Sequence, residues 1–447
     1  MKMNRRDFLK FGSAGMSAAG LGMLSQLGSL ARASTSEDYR ALVCIFMFGG
    51  NDGNNLLVPY ETAEYNRYAT TRSNLALPHA NLLMISPSNT GGIRYGLHPA
   101  MTGIQQLFNS GSAALAANVG PLMVPTSKAQ WNARSVPLPD NLFSHSDQQA
   151  QWQAALYQTP RSGWGGRLTE RMVDSGVNNR GYSVISLTGN NLWESSDSVL
   201  TPYKVSASGN FGFDFYDPAS SDPLSAAITA TLNESHAHAL EQGWLDVMSR
   251  SIDVQRILTN ALAGTTLNTA FPNTGLGAQL KMVARLISAR NGLGLKRQCF
   301  FCSIGGFDTH GDDQLARQNE LFTEISEAVA AFQQATTELD VGTNTTLFTA
   351  SDFGRTFTSN GQGSDHGWGS HHLVVGGAVK GGKLYGSFPD QTLGGPDDAD
   401  GKGNWIPTTS VESYAATLGR WFGASDAVLA EVFPRLTYFN PDTGFFT

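Results

Sequence analysis

Residues 41–48 form an unbroken apolar run, Ala-Leu-Val-Cys-Ile-Phe-Met-Phe, that stops at Gly49-Gly50. A run this short, closed by glycines, reads as a strand buried on both faces rather than as a helix. Strands of that kind belong to parallel sheets with helices packed on each side. The rest of the chain keeps the rhythm that such a sheet needs. Strands are expected over 113–119, 182–187, 298–304 and 345–350, with short ones over 372–375 and 381–385. Helices are expected over 99–109, 224–263, 278–290, 313–339 and 410–422. The alternation predicts an α/β fold: a three-layer sandwich around a mostly parallel central sheet. Residues 188–222, rich in Ser, Asn, Asp and Gly, read as an irregular excursion or loop-rich cap inserted in one domain spanning 34–447.

Composition narrows the class further. Hydrophobic residues make up 41% of the 447, enough for a large core, so wholesale disorder is excluded. Charged residues are only 15% while glycine occupies 49 positions, which rules out a coiled coil, and no Gly-X-Y period points to collagen. The net charge of −7 hides an asymmetry. Of 30 Lys+Arg and 37 Asp+Glu, five cations and one anion lie in the first 33 residues, leaving 25 cations against 36 anions beyond them. A body at −11 with no basic run is a poor surface for phosphate backbones, so no nucleic-acid partner is expected.

The first 33 residues read as an address. Asn4-Arg5-Arg6-Asp7-Phe8-Leu9-Lys10 precedes a weakly apolar stretch, 11–30, diluted by five glycines, and Ala31-Arg32-Ala33 offers small residues for cleavage. The pattern resembles a twin-arginine signal, which implies export in the folded state by the twin-arginine translocase and a periplasmic or secreted protein. No apolar run beyond it approaches membrane-spanning length, so no transmembrane segment is expected in the mature chain. Cys44, Cys299 and Cys302 are few for an exported protein. Cys299 and Cys302 fall in an expected strand, which sends residues three apart to opposite faces, so they read as core rather than as a redox or zinc pair.

In open α/β sheets, ligands bind beyond the carboxyl ends of the strands. Here those ends are polar: Asn51-Asp52 after the first strand, Asp308-Thr309-His310 after 298–304, and Asp352-Phe353-Gly354-Arg355 after 345–350. A further loop carries Asp365-His366, and His371-His372 follow. Carboxylates and imidazoles together suit a divalent ion such as zinc, manganese or calcium. Asp52 alone also fits an ordinary turn former. Ser144-His145-Ser146 lies at an expected helix start, where a serine serves as a cap. The same position favours anions, so a hydroxyl there can also attack a phosphoryl or sulfuryl centre. No Gly-Lys-Ser/Thr follows the first loop and no Gly-x-Ser-x-Gly surrounds Ser144, which removes the phosphate-loop reading and weakens the hydrolase-elbow reading.

The twin-arginine start, Phe48-Gly49-Gly50-Asn51-Asp52-Gly53, Ser144-His145, Gly163-Trp164, Gly306-Phe307-Asp308-Thr309-His310, Ser351 to Thr356 and Asp365-His366-Gly367-Trp368 resemble one exported bacterial family. It is the family known as domain of unknown function 1501, itself similar to the alkaline phosphatase and sulfatase superfamily. That resemblance implies an alkaline-phosphatase-like fold with one or two divalent ions. It makes Asp52 and Asp352 ligands of one metal, bridged by a Ser144 nucleophile, and Asp308, His310 and His366 ligands of the other. Arg355 would hold the anionic oxygens of the substrate. His145, Asn51, Ser146 and Asp365 are further candidates. Phe353 departs from the superfamily, which commonly places a ligand histidine there, and the Asp308-x-His310 spacing is tighter than usual. His371 or His372 could supply the missing ligand, though neighbours on a strand face opposite ways and only one can reach.

The functional expectation is therefore an exported metal-dependent hydrolase of small anionic phosphate or sulfate esters. Two alternatives stay open: a non-catalytic exported binding or assembly protein on the same fold, and a metal-free serine esterase using Ser144 and a histidine.

Overall fold

Leu42, Cys44 and Phe46 of the first strand, β1 (Arg40–Phe48), enter one hydrophobic cluster, and the intervening Ala41, Val43, Ile45 and Met47 are equally buried. Successive strand residues face opposite ways, so β1 is covered on both faces and lies inside the sheet. The computed structural model describes residues 38–446, apart from 159, 179–180, 198–199, 201, 210–215 and 219. The expected leader at 1–33 lies outside the described residues. Arg40–Thr447 forms one compact unit.

After β1 come α1 (Gly53–Leu56), β2 (Leu57–Pro59), α2 (Thr62–Arg72), β3 (Leu83–Ile85), β4 (Tyr95–Leu97), α3 (Thr102–Asn109) and β5 (Ala113–Gly120). The middle of the chain supplies α4 (Lys128–Ala133), α5 (His145–Ala154), α6 (Trp164–Asp174), β6 (Val184–Ser186), β7 (Tyr203–Lys204), α7 (Pro223–Leu232) and α8 (Ala239–Leu262). The last part adds α9 (Gly275–Ser288), β8 (Arg297–Gly305), α10 (Gln314–Glu338), β9 (Thr345–Ser351), β10 (Ser370–Val375), β11 (Leu384–Tyr385), β12 (Thr409–Ser410), α11 (Val411–Phe422) and α12 (Asp426–Val432).

Among the described residues the main sheet has nine strands in the order β11-β5-β10-β9-β1-β8-β6-β7, with β12 beside β5. Each runs parallel to β1 except β10, which is antiparallel to both β9 and β5. The fold is thus the expected α/β type, a mostly parallel sheet with helices on both sides. One face packs Trp152, Trp164, Leu168, Tyr414 and Leu418 of α5, α6 and α11 against the sheet. On the other side α9 packs against β8 and α10, and α10 packs against α3.

A three-stranded antiparallel sheet, β2-β4-β3, was not expected from the sequence, because strands of three residues are too short to show a period. Helix α2 was not expected either, because it buries Tyr68 and Arg72 and carries no apolar stripe. The helix expected over 224–263 is two helices, α7 and α8, separated at 233–238. That gap reads Asn-Glu-Ser-His-Ala-His, mostly poor helix formers. Within 188–222, Trp193 is buried against Trp164, Phe301 and Phe348, and Tyr203–Lys204 adds the edge strand β7. The three cysteines are free and buried, and burial pushes the Cys299 thiol up to about 12, which fits inert core positions.

Candidate metal centre

The sheet register brings the informative loops level with one another. Met47 pairs with Ser351 and Phe48 with Gly305, so Gly49, Asp352 and Gly306 leave the sheet side by side. The antiparallel strand β10 starts at the same edge, which places the loop before Ser370 there too. Gly49 has φ +115°, and a Cβ on it would lie 2.4 Å from the backbone nitrogen of Asp308. Only glycine lets these two loops approach so closely.

At this edge His145, Asp308 and His366 each present a ligand atom, all within 4.8 Å of one another. Their side chains are 31%, 48% and 25% exposed, so the group opens to solvent. Asp308 is the hub. Its Oδ1 lies 2.9 Å from Arg355 Nη1, 3.0 Å from His310 Nε2 and 3.3 Å from His366 Nε2, and its Oδ2 lies 3.5 Å from His145 Nε2. Partial burial pushes the Asp308 pKa up, but the hydrogen bond and charge of Arg355, helped by His145 and His310, outweigh it and hold the carboxyl below its usual range. Asp308 is a carboxylate at neutral pH.

The far side of each ring fixes its tautomer. His366 Nδ1 is 2.8 Å from the Phe143 carbonyl, which can only accept, so Nδ1 carries the proton. His145 Nδ1 is 2.6 Å from Asp352 Oδ2, again an acceptor. In the neutral rings both Nε2 atoms are then lone pairs aimed at a carboxylate. Burial is the main reason that the His366 pKa is lowered, which favours its neutral ring. Lone pairs facing a carboxylate need a proton or a cation between them, and an imidazole whose other nitrogen is bonded to a carboxylate or carbonyl is the usual form of a metal ligand. The donor set therefore fits a divalent ion.

Phe353 is 1% exposed, and its ring packs against those of both His145 and His366, at centroid distances of 4.8 and 4.6 Å. It cannot ligate, but it backs the two imidazoles that do converge. Gly50, at φ +86°, makes room for it, since a Cβ there would lie 2.4 Å from the Phe353 ring.

The remaining candidates are placed as follows. His310 joins the edge of the group, 3.0 Å from His366 Nε2, with Nδ1 3.4 Å from Asp365 Oδ1. Asp52 stands apart from the three converging ligands. Its Oδ2 is paired with the fully buried Arg72 and accepts from Gln314 Nε2 at 2.7 Å, while Oδ1 accepts from the Asn54 backbone at 3.1 Å. Asp352 stands behind His145. Arg355 is buried, and its guanidinium donates to Asp308, Gly49 O and Ser364 O, so it braces the site from within rather than presenting a free fork to substrate. Ser144 Oγ donates to Asp147 Oδ2 at 2.6 Å and bonds no imidazole, and Ser146 Oγ lies 3.3 Å from Ser144 Oγ. His371 accepts from Asn118 N at 3.1 Å and stacks on Phe388, and His372 packs against Trp152 and Tyr414. Burial drives both of these histidines down to about 3, and neither joins the converging group. Asn51 is buried, and its side-chain amide has no partner among the described residues.

Arg72, Gln149, Gln314 and Phe143 O complete the surroundings, and none was singled out in the sequence. Gln314 links the two halves: it bonds Asp52 and also accepts from Ser364 Oγ at 2.8 Å, which lies 3.4 Å from Arg355 Nε. No signal short of the packing itself identifies such residues.

Among the described residues no helix is long and apolar enough to cross a membrane. A family model described as "Protein of unknown function (DUF1501)" matches residues 39–399, and the chain belongs to that family. No curated protein matches it. Solved structures similar to it include the PsFucS1 sulfatase from Pseudoalteromonas sp., at 10% identity over 93% of this chain and 73% of that one, with a TM-score of 0.35. The phosphonate monoester hydrolase of Agrobacterium radiobacter is 11% identical over 86% and 74% of the two chains, TM-score 0.34. The C-terminal periplasmic domain of EcEptC from Escherichia coli, in complex with Zn, is 10% identical over 76% and 73%, TM-score 0.32.

Proposed function

We propose that this member of the DUF1501 family is a metal-dependent hydrolase of small phosphate or sulfate esters, exported by the twin-arginine route to the periplasm or beyond. The observation that carries the reading is the convergence of His145 Nε2, His366 Nε2 and the Asp308 carboxylate at a solvent-open strand edge. Three protein ligands with an open side are the pattern of a catalytic rather than a structural ion. A divalent cation held there acts as a Lewis acid towards a phosphoryl or sulfuryl oxygen and favours ionisation of a nearby hydroxyl.

The chain's own residues supply the rest. Arg355 keeps Asp308 ionised and fixed, and Phe353 keeps the imidazoles in place. Ser144, at the start of α5 and next to His145, donates a 2.6 Å hydrogen bond to Asp147 Oδ2, so its hydroxyl has to turn from Asp147 towards the ion before it can attack. Ser144→Ala distinguishes that hydroxyl from water as the nucleophile: loss of turnover assigns Ser144, and retained turnover assigns water.

The test is metal analysis of the mature protein together with a panel of aryl phosphates and sulfates. A bound divalent ion, and turnover that EDTA removes and metal restores, is the expected result. No bound metal and no turnover with any divalent ion would sink the reading. A second reading, a binding or assembly protein with a partly dismantled site, is favoured by the commitment of Asp52 and Arg355 to internal partners. It expects the His366→Ala, Asp308→Ala double variant to keep the cellular phenotype, and a cellular defect in that variant counts against it.

A further inference from the structure

The carboxylate expected to bind metal directly, Asp352, lies one imidazole away from the site. It is fully buried. Its Oδ2 accepts from Gly49 N at 3.2 Å, Gln149 Nε2 at 2.8 Å and His145 Nδ1 at 2.6 Å. Three donors leave that oxygen little capacity for an ion, and Oδ1 is buried without a hydrogen-bond partner among the described residues. His145 spans the gap, bonded to Asp352 through Nδ1 and facing Asp308 Oδ2 at 3.5 Å through Nε2. Gln149 lies one helical turn beyond His145 on α5, so a single helix delivers both the imidazole and a clamp on the carboxylate that orients it.

We propose that Asp352 is a positioning residue. It holds His145 as the Nδ1–H tautomer, so that an imidazole rather than this carboxylate meets the ion. The inference rests on the metal reading given above and deepens it. Exchanging a carboxylate for an imidazole changes the ion that the site prefers. Two imidazoles and one carboxylate suit zinc, cobalt or nickel, whereas calcium and magnesium require an oxygen-rich set. The site is assigned to a borderline transition ion of the zinc class.

The experiment measures zinc and calcium affinity of the full mature chain by competition with a chromophoric chelator, and reads the His145 tautomer by long-range proton–nitrogen NMR in the metal-free protein. The unaltered chain is expected to bind zinc, to show no comparable calcium affinity, and to carry the His145 proton on Nδ1. Asp352→Ala is expected to weaken zinc roughly 10- to 100-fold and to scramble the His145 tautomer while leaving that of His366 in place. Asp352→Asn, whose amide oxygen still accepts from Nδ1, is expected to fall between. Because Asp352 is buried, Gln149→Leu on the partly exposed side of α5 provides a second route, loosening the same clamp if Asp352→Ala does not fold. Zinc bound as tightly by the Asp352 and Gln149 variants as by the unaltered chain, or a His145 proton on Nε2, overturns the inference and leaves the metal reading standing. Calcium bound in place of zinc by the unaltered chain also overturns the inference alone, and absence of binding of either ion overturns both.

Discussion

Asp308 and Asp52 are both aspartates in glycine-rich loops after parallel strands, and their environments give them different work. Asp308 is half exposed and receives Arg355 and three imidazoles. Asp52 is 2% exposed and paired with an Arg72 that has no exposure at all. Removing one partner of a buried ion pair strands the other charge, at a cost of about 3–5 kcal/mol. Asp52→Asn should therefore lower stability by that order in guanidinium unfolding and leave metal binding intact. Asp308→Asn should abolish metal binding at a smaller cost in stability, since Arg355 keeps the carbonyls of Gly49 and Ser364. Metal loss in the Asp52 variant, once refolding is confirmed, would return Asp52 to the ligand set. The sequence showed both aspartates but not this division, because Arg72 lies twenty residues on, in a helix with no pattern that marks a buried arginine. Likewise Ser144-His145 was visible as a pair. Which neighbour turns inward depends on the phase of α5, and it is the histidine.

The elements themselves were more legible than their ends. β1, β5 and β8 are long, largely apolar and closed by glycine, so burial on both faces left its mark on composition, whereas β9 is just as buried but carries Thr and Ser at four of its seven positions. The three-residue strands and the break between α7 and α8 left none. What the strand ends require is nonetheless written in the glycines. Gly49 and Gly361 share positive φ, at +115° and +102°, but a Cβ at Gly361 would meet nothing within 4 Å, whereas at Gly49 it would strike the Asp308 backbone. Gly361→Ala should cost only the conformational strain, about 1–2 kcal/mol, and leave metal affinity unchanged. Gly49→Ala should cost more and weaken metal binding as well, because the Asp308 loop must move. Equal metal affinity in the two variants would show that this close approach does not position the site.

Across the whole molecule, the buried ionisable groups outside the candidate metal site shape the pH dependence of stability. Burial raises Glu194 and Glu412 to about 8, and lowers His98 to about 4 and both His371 and His372 to about 3. The two carboxyls stay protonated in the fold while the unfolded chain ionises them above its ordinary value of 4.5, so their contribution is full below that pH and fades towards 8. The three histidines stay neutral in the fold while the unfolded chain protonates them below 6.5, so stability is lost as pH falls towards 3. Between 4.5 and 6.5 the two trends oppose each other. Stability should be greatest in or near that window and decline on both sides, each group adding at most about 1.4 kcal/mol per pH unit. Calorimetric melting across pH 3 to 9 checks the shape, and the double variant Glu194→Gln, Glu412→Gln isolates one limb. Glutamine does not titrate, so the decline above 6.5 should flatten while the acid limb is untouched. An unchanged alkaline limb would mean that these two carboxyls ionise in the fold as readily as in water. The buried Tyr157 hydroxyl, which donates to Glu412 Oε2 at 2.7 Å, makes the Glu412 half of the test the more sensitive, because Glu412→Gln keeps an acceptor for that proton and removes only the titration.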